Sequence, residues 1–166
     1  AAESQLAFSE GESKYYSEST REIELVVIDT SGETKDAVIS FPEALLKEGS
    51  ELSHNTLPFT ITLNSYSTNS TLENKATPGI QNGYGQHISS RPLPIFTQDD
   101  ARNIATAIVS IDSDNYKDKL LLTTGLEATQ VIQVYDTPYR IELRHKRYYV
   151  LYSIQLIDFQ RKLYPG

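Results

Sequence analysis

The chain of 166 residues contains no cysteine. That absence excludes disulfides, thiol redox chemistry and thiolate metal sites together, and it removes the usual marker of redox compartment. Methionine is also absent, position 1 included, which is the expectation for a processed or excised chain. Histidine is scarce: His54, His87 and His145 are the whole supply, none at ligand spacing from another or from a nearby carboxylate, so each reads as an isolated polar residue. Long apolar runs are missing too. The longest candidates, Ile104 to Ile111 and Val131 to Tyr135, are short or interrupted by polar residues, far from the ~18 residues of a membrane span. No GxSxG elbow marks a serine nucleophile. The cluster Asp112, Asp114 and Asp118 lacks the glycine and the closing glutamate of a calcium loop and reads as a solvated turn.

Charge is plentiful but uneven. The formal net charge is −7, yet residues 138–166 carry 6 basic and 2 acidic side chains and form the one positive segment. A net negative protein repels phosphate backbones at long range, which argues against general nucleic-acid binding.

The length suits a single domain. Period-two alternation dominates and predicts a mainly β fold with antiparallel sandwich- or barrel-like sheets and one or two short helices. Ile23, Leu25 and Val27 alternate with Glu22 and Glu24; Ala37, Ile39 and Phe41 follow a turn at Ser31-Gly32-Glu33; Phe59, Ile61 and Leu63 alternate with Thr60, Thr62 and Asn64. Further strands are predicted at Ala107 to Ile111, Lys119 to Thr123, Thr129 to Tyr135, Tyr139 to Arg144 and Tyr148 to Phe159, about eight in all. Proline before and glycine after predict a two-turn helix over Pro42 to Gly49, and Thr97 could cap a second one running to Ile104. Residues 1–20 read either as a polar segment or as a first hairpin pairing Leu6 to Phe8 with Tyr15-Tyr16, leaving 21–166 as the β-rich domain.

Residues 76–94 hold three prolines and three glycines and read as a long loop, with Gly83-Tyr84-Gly85 as a turn in it. Asn69-Ser70-Thr71 fits the N-glycosylation pattern, relevant in a eukaryotic secretory setting. An internal echo aligns Pro58-Phe59-Thr60-Ile61-Thr62-Leu63-Asn64-Ser65-Tyr66 with Leu151 to Phe159. In both copies the closing aromatic is out of phase with the aromatic, Ile and Leu face, so a bulge or strand end is expected just before Tyr66 and Phe159. Chance likeness of two amphipathic strands is the competing reading.

The segment Tyr139 to Gly166, YRIELRHKRYYVLYSIQLIDFQRKLYPG, joins a basic cluster to a run of tyrosines. One reading is structural: Tyr139, Ile141 and Leu143 face a core, Arg140, Glu142 and Arg144 face water, and Arg144 to Arg147 form a turn tip before Tyr148 and Tyr149 enter the next strand. The other is a cationic, aromatic edge that would take an anionic, flat or peptide-like partner, or anionic lipid headgroups. On that reading Arg144, His145, Arg147, Tyr148 and Tyr149, with Tyr84 from the long loop, are the candidate binding residues, and charge reversal at Arg144 and Arg147 weakens binding without lowering the melting temperature. No catalytic or metal-ligating residue is assigned.

The phrases IELRHKRYYVLYSIQLIDFQRKLYPG, LPFTITLNSYSTNS and GIQNGYGQHISSRPLP resemble the extracytoplasmic domain of ResB-type proteins of cytochrome c biogenesis, including the subgroup fused to a CcsA/ResC-type partner. The likeness covers most of residues 20–166, and its most specific part is the pair of PF-x-I-x-L and Y-x-I-x-L strands with the terminal YPG. It implies an all-β periplasmic domain of a bacterial inner-membrane protein that assists haem delivery and haem attachment to apocytochrome c, working with a CcsA/ResC-type haem-handling partner. By that likeness the domain is no enzyme by itself, binds no cofactor of its own and leaves haem to the parent complex. Family members continue past YPG with more strands and a membrane span, so a truncated sheet is expected. The rival from another class is a secreted β-sandwich binding carbohydrate or a small ligand through the 76–94 loop and surface tyrosines; a hydrolase with dispersed Ser, His and Asp is the weaker third.

Overall fold

In the computed structural model, residues 2–3, 6–9, 16–32, 36–95 and 103–149 are described. The expected helix from Thr97, the second copy of the echo at Leu151 to Phe159 and the terminal YPG lie outside them, entirely or for the most part. Twelve strands occur among the described residues: β1 (Ala2–Glu3), β2 (Leu6–Ser9), β3 (Tyr16–Asp29), β4 (Ala37–Pro42), β5 (Glu51–Ser53), β6 (Thr60–Ser67), β7 (Ser70–Glu73), β8 (Ser89–Pro92), β9 (Thr106–Asp112), β10 (Lys117–Thr123), β11 (Gln130–Val134) and β12 (Thr137–Tyr149). The protein is mainly β, as the alternation predicts, and the sheets form no closed barrel.

One sheet runs β1-β5-β6-β9-β10 and a second β11-β12-β3-β4-β2, with β7 and β8 as a separate ribbon. Pairing is antiparallel except for the two-residue contact of β1 with β5. The strand Leu6–Ser9 pairs with β4, and most of the expected hairpin, Glu10 to Tyr15, lies outside the described residues. The inner faces of the two sheets share one core. Ile23, Leu25, Val27, Phe41, Ile141 and Leu143 from the second sheet meet Leu52, Ile61, Leu63, Val109, Ile111 and Leu122 from the first. Phe59 and Tyr139 pack edge to face across it, ring centroids 5.1 Å apart. Burying each such large side chain contributes about 1.5–3 kcal/mol, so the alternation that is visible in sequence is also what holds the layers together.

The bulge expected before Tyr66 is present. Pairing of β6 with β9 slips between Leu63 and Ser65, leaving Asn64 as the extra residue, and Tyr66 returns to register opposite Ala107. The slip turns Tyr66 so that its hydroxyl donates to Glu43 Oε2, while Glu43 Oε1 accepts from the Ile23 amide of the other sheet. Glu43 belongs to a single 3-10 turn, Glu43–Leu45, where a two-turn helix was predicted. The helix stops because Leu46 is drawn into the core and Gly49, at φ +87°, turns the chain so that its amide donates to Leu63 O.

The 76–94 segment is less of a loop than its composition implies. Its end forms β8, paired with β7, and its middle a 3-10 turn, Tyr84–Gln86, beginning after Gly83 at φ +74°. Asn69 is buried, not a glycan acceptor: its Nδ2 donates to Pro94 O at 2.8 Å and its Oδ1 accepts from the Ile104 amide at 2.9 Å. Beside it the hydroxyls of Ser70, Thr106 and Thr123 form a buried chain at 2.8 and 2.9 Å that ties β7, β9 and β10. Substituting Asn69→Ala removes the partners of the Pro94 carbonyl and the half-buried Ile104 amide, and thermal melts should show a loss of about 1–2 kcal/mol.

Candidate functional site

Two regions gather side chains that could meet a partner. The first is the far end of the β3–β12 pair, which holds five of the six residues picked out from sequence. The predicted turn tip at Arg144 to Arg147 is absent: β12 runs unbroken from Thr137 to Tyr149, and the irregularity falls on β3, where residues 19–22 oppose Lys146 alone. Ser19 accounts for it locally, since its Oγ accepts from the amides of Arg21 and Glu22 and bends the strand.

Arg144 does not face water. It is buried opposite Glu24, also buried, and its Nε donates to Glu24 Oε2 at 2.7 Å while Ser40 Oγ donates to Oε1 at 2.9 Å. A basic run looks like a solvated turn only until its partner carboxylate, 120 residues earlier in the chain, is in place. His145 sits opposite Ile23, half-buried, and its Nδ1 has no hydrogen-bond partner among the described residues. Past the bend, Tyr149 lies opposite Tyr16 with ring centroids 5.5 Å apart, and the Arg147 guanidinium sits 4.2 Å from the Tyr16 ring centroid. Lys146 lies 5.0 Å from the ring centroid of Tyr148 and 3.6 Å from the Glu22 carboxylate, which also accepts from the Tyr148 hydroxyl at 2.9 Å. Of the cations that read as a positive edge in sequence, Arg144 is engaged by Glu24, Arg147 by the Tyr16 ring and Lys146 by Glu22 and the Tyr148 ring, and the rings of Tyr16 and Tyr148 are both exposed.

Tyr84, the sixth candidate, belongs to the second region. Its hydroxyl accepts from the Thr123 amide at 2.9 Å and its own amide donates to Gln130 Oε1 at 3.1 Å. Burial pushes its phenol up to about 12, the Thr123 amide partly opposing the shift. It lies in a groove of about 560 Å³ at the open edge between the two sheets, lined by residues 128–133, by Asn82 and Gly83, by Tyr116 just before β10, and by Asp118 and Leu120 of β10. Asp118 Oδ2 accepts from Asn82 Nδ2 at 2.9 Å and from the Tyr116 hydroxyl at 2.8 Å. Gln130 Nε2 crosses to Leu121 O at 2.9 Å. A Cβ at Gly83 would collide with the Gln130 side-chain oxygen, which is why the loop carries glycine there. The groove escaped the sequence reading because Asp118 was grouped with the turn aspartates Asp112 and Asp114. Its one local signal is QVIQV, a strand without any charge.

Comparison of the chain with protein-family models, curated proteins and solved structures finds no match. No group of His, Asp and Glu able to hold a metal ion occurs among the described residues.

Arg144→Glu should lower stability by about 3–5 kcal/mol, because it leaves Glu24 buried beside a second carboxylate. Arg147→Glu, which loses a ring contact, should cost only about 0.5–1 kcal/mol; equal melting temperatures for the two variants would contradict the burial of Arg144. Tyrosine also governs the alkaline limit. Burial and the Glu43 contact push the Tyr66 phenol well above its ordinary value of 10.0, and Tyr84, Tyr116, Tyr139 and Tyr148 are raised as well. A raised folded-state value means that the unfolded chain loses its protons first. Stability should hold below about pH 10 and fall as pH climbs beyond it, with part of that fall removed in Tyr66→Phe when followed by denaturant melts.

Proposed function

We propose that this chain is the extracytoplasmic domain of a ResB-like component of cytochrome c maturation. In this reading it is a β-rich scaffold, not an enzyme by itself. It assists haem delivery and attachment to apocytochrome c together with a CcsA/ResC-type membrane partner, on the periplasmic side of a bacterial inner membrane. The observation that carries the reading is the sequence likeness over most of residues 20–166. Its described signature, LPFTITLNSYSTNS, spans β6, a middle strand of the first sheet with the core on one face and the phase slip that the echo motif requires. The mainly β architecture agrees with what the likeness implies.

Carbohydrate binding through the 76–94 loop is the weaker reading. The groove does contain Tyr84 and Tyr116, but most of its polar side chains are already engaged, Asn82 and Tyr116 on Asp118 and Gln130 on Tyr84 and Leu121, which leaves Thr129 and Gln133. Few are left for a sugar's hydroxyls.

The test is genetic. Deleting the coding segment for residues 1–166 from the gene in its own cell should abolish peroxidase-active haem staining of c-type cytochromes while b-type haem spectra persist. Unchanged staining of every c-type cytochrome would sink the proposal.

A further inference from the structure

We propose that β11 is a docking edge on which a partner protein lays an extended strand, adding to the second sheet beyond β11 and placing a lysine or arginine against Asp118. This goes beyond the maturation reading and stands independently of it.

The argument begins with how the two neighbouring sheet edges differ. Strand β10, the edge of the first sheet, is protected in the usual ways. It carries Lys117, Asp118 and Lys119, and its outward backbone groups are taken by side chains: Thr123 N by the Tyr84 hydroxyl and Leu121 O by Gln130. Strand β11, the edge of the second sheet, has no such device among the described residues. Its sequence, QVIQV, has no charge, no proline and no glycine, and it pairs through β12 alone. Val131 is 57% exposed on it. An uncharged, β-branched, unguarded edge is an aggregation hazard unless a partner covers it.

The groove matches that partner's shape. Six consecutive residues, 128–133, line it, so its length follows the edge backbone for roughly 20 Å at about 3.3 Å per residue. That form suits an extended chain, which gains affinity from main-chain pairing and specificity from alternate side chains. Most of the groove's polar side chains bond one another, so the backbone edge is the main feature left to be recognised. Charge selects the occupant further. Asp118 lies in the groove with no cation within ion-pair distance among the described residues; its hydrogen-bond donors there are neutral.

The β11–β12 turn adds a second observation. Tyr135 and Asp136 both take positive φ, 52° and 67°, the form of a two-residue hairpin turn that favours Asn and Gly. A bulky tyrosine in the left-handed region is strained, and here it is 51% exposed, so packing does not explain its presence. An exposed aromatic at the end of an open edge is an anchor for an arriving strand.

The test uses the 166-residue chain and a fluorescein-labelled nonapeptide alternating threonine and valine with one central lysine. The controls are the same peptide N-methylated at alternate amides and the sugar cellohexaose. Anisotropy should show saturable binding of the first peptide, lost on N-methylation and unaffected by the sugar. Val131→Lys, on an exposed position, and Asp118→Asn should each weaken it about tenfold or more, the size expected for losing one or two good contacts. Gln133→Lys serves as the second edge variant should Val131→Lys melt early. No binding at millimolar peptide, equal binding of the N-methylated peptide, variants that bind as the parent does, or displacement by cellohexaose would each overturn the proposal.

Discussion

Everything in the second sheet depends on the pairing of β3 with β12, a contact between segments more than 100 residues apart. Residues 23–28 of β3 are all buried, which leaves no solvent face over that stretch. Leu25 and Val27 feed the core between the sheets, while Val26, Ile28 and Val38 form a separate buried cluster on the opposite face. Glu24 shares that opposite face with Arg144, and the ion pair between them fixes the register. A slip of one residue would move Glu24 into the apolar core and the leucines out of it. A buried pair of this kind is weak evidence for net stability but specifies one pairing over its neighbours.

The same pairing explains why a basic cluster in an acidic protein is not a general anion surface. Beyond the bend, tyrosine rings and the Glu22 carboxylate of β3 take up Lys146 and Arg147, so positive charge is spent inside the sheet. Long cationic side chains with apolar stems suit this use, covering aromatic surface while their heads find carboxylates. The open chemistry of the molecule lies instead where the sheets end, at the β10 and β11 edges. There one edge is closed by side chains, and the other has no cover among the described residues.

Much of the strand content was legible because period two is a local property: Ile23, Leu25 and Val27, or Phe59, Ile61 and Leu63, identify their face without knowledge of a partner. The bulge at Asn64 was legible for the same reason, since a closing aromatic out of phase demands an extra residue. The short helix was misread because its proline and glycine signals are local, whereas its end is set by Leu46 entering a core and Gly49 bonding to Leu63. Arg144 to Arg147 was misread as a turn because four polar residues in a row carry no strand signal of their own. The candidate residues of β12 are gathered simply by adjacency in the chain. Their partners Tyr16, Glu22 and Glu24, and the groove around Asp118, are not.

By itself, then, the chain's alternation and turn residues determined that it folds mainly as antiparallel sheets and which side chains of each alternating strand share a face, because side-chain direction along a strand needs only neighbours in sequence. Which edges meet, which charges are neutralised and where a groove opens were decided by tertiary structure. Those outcomes rest on contacts across 40 to 130 residues, such as Tyr84 with Gln130, Arg144 with Glu24 and Tyr148 with Glu22, whose energies exist only once both sheets are in place.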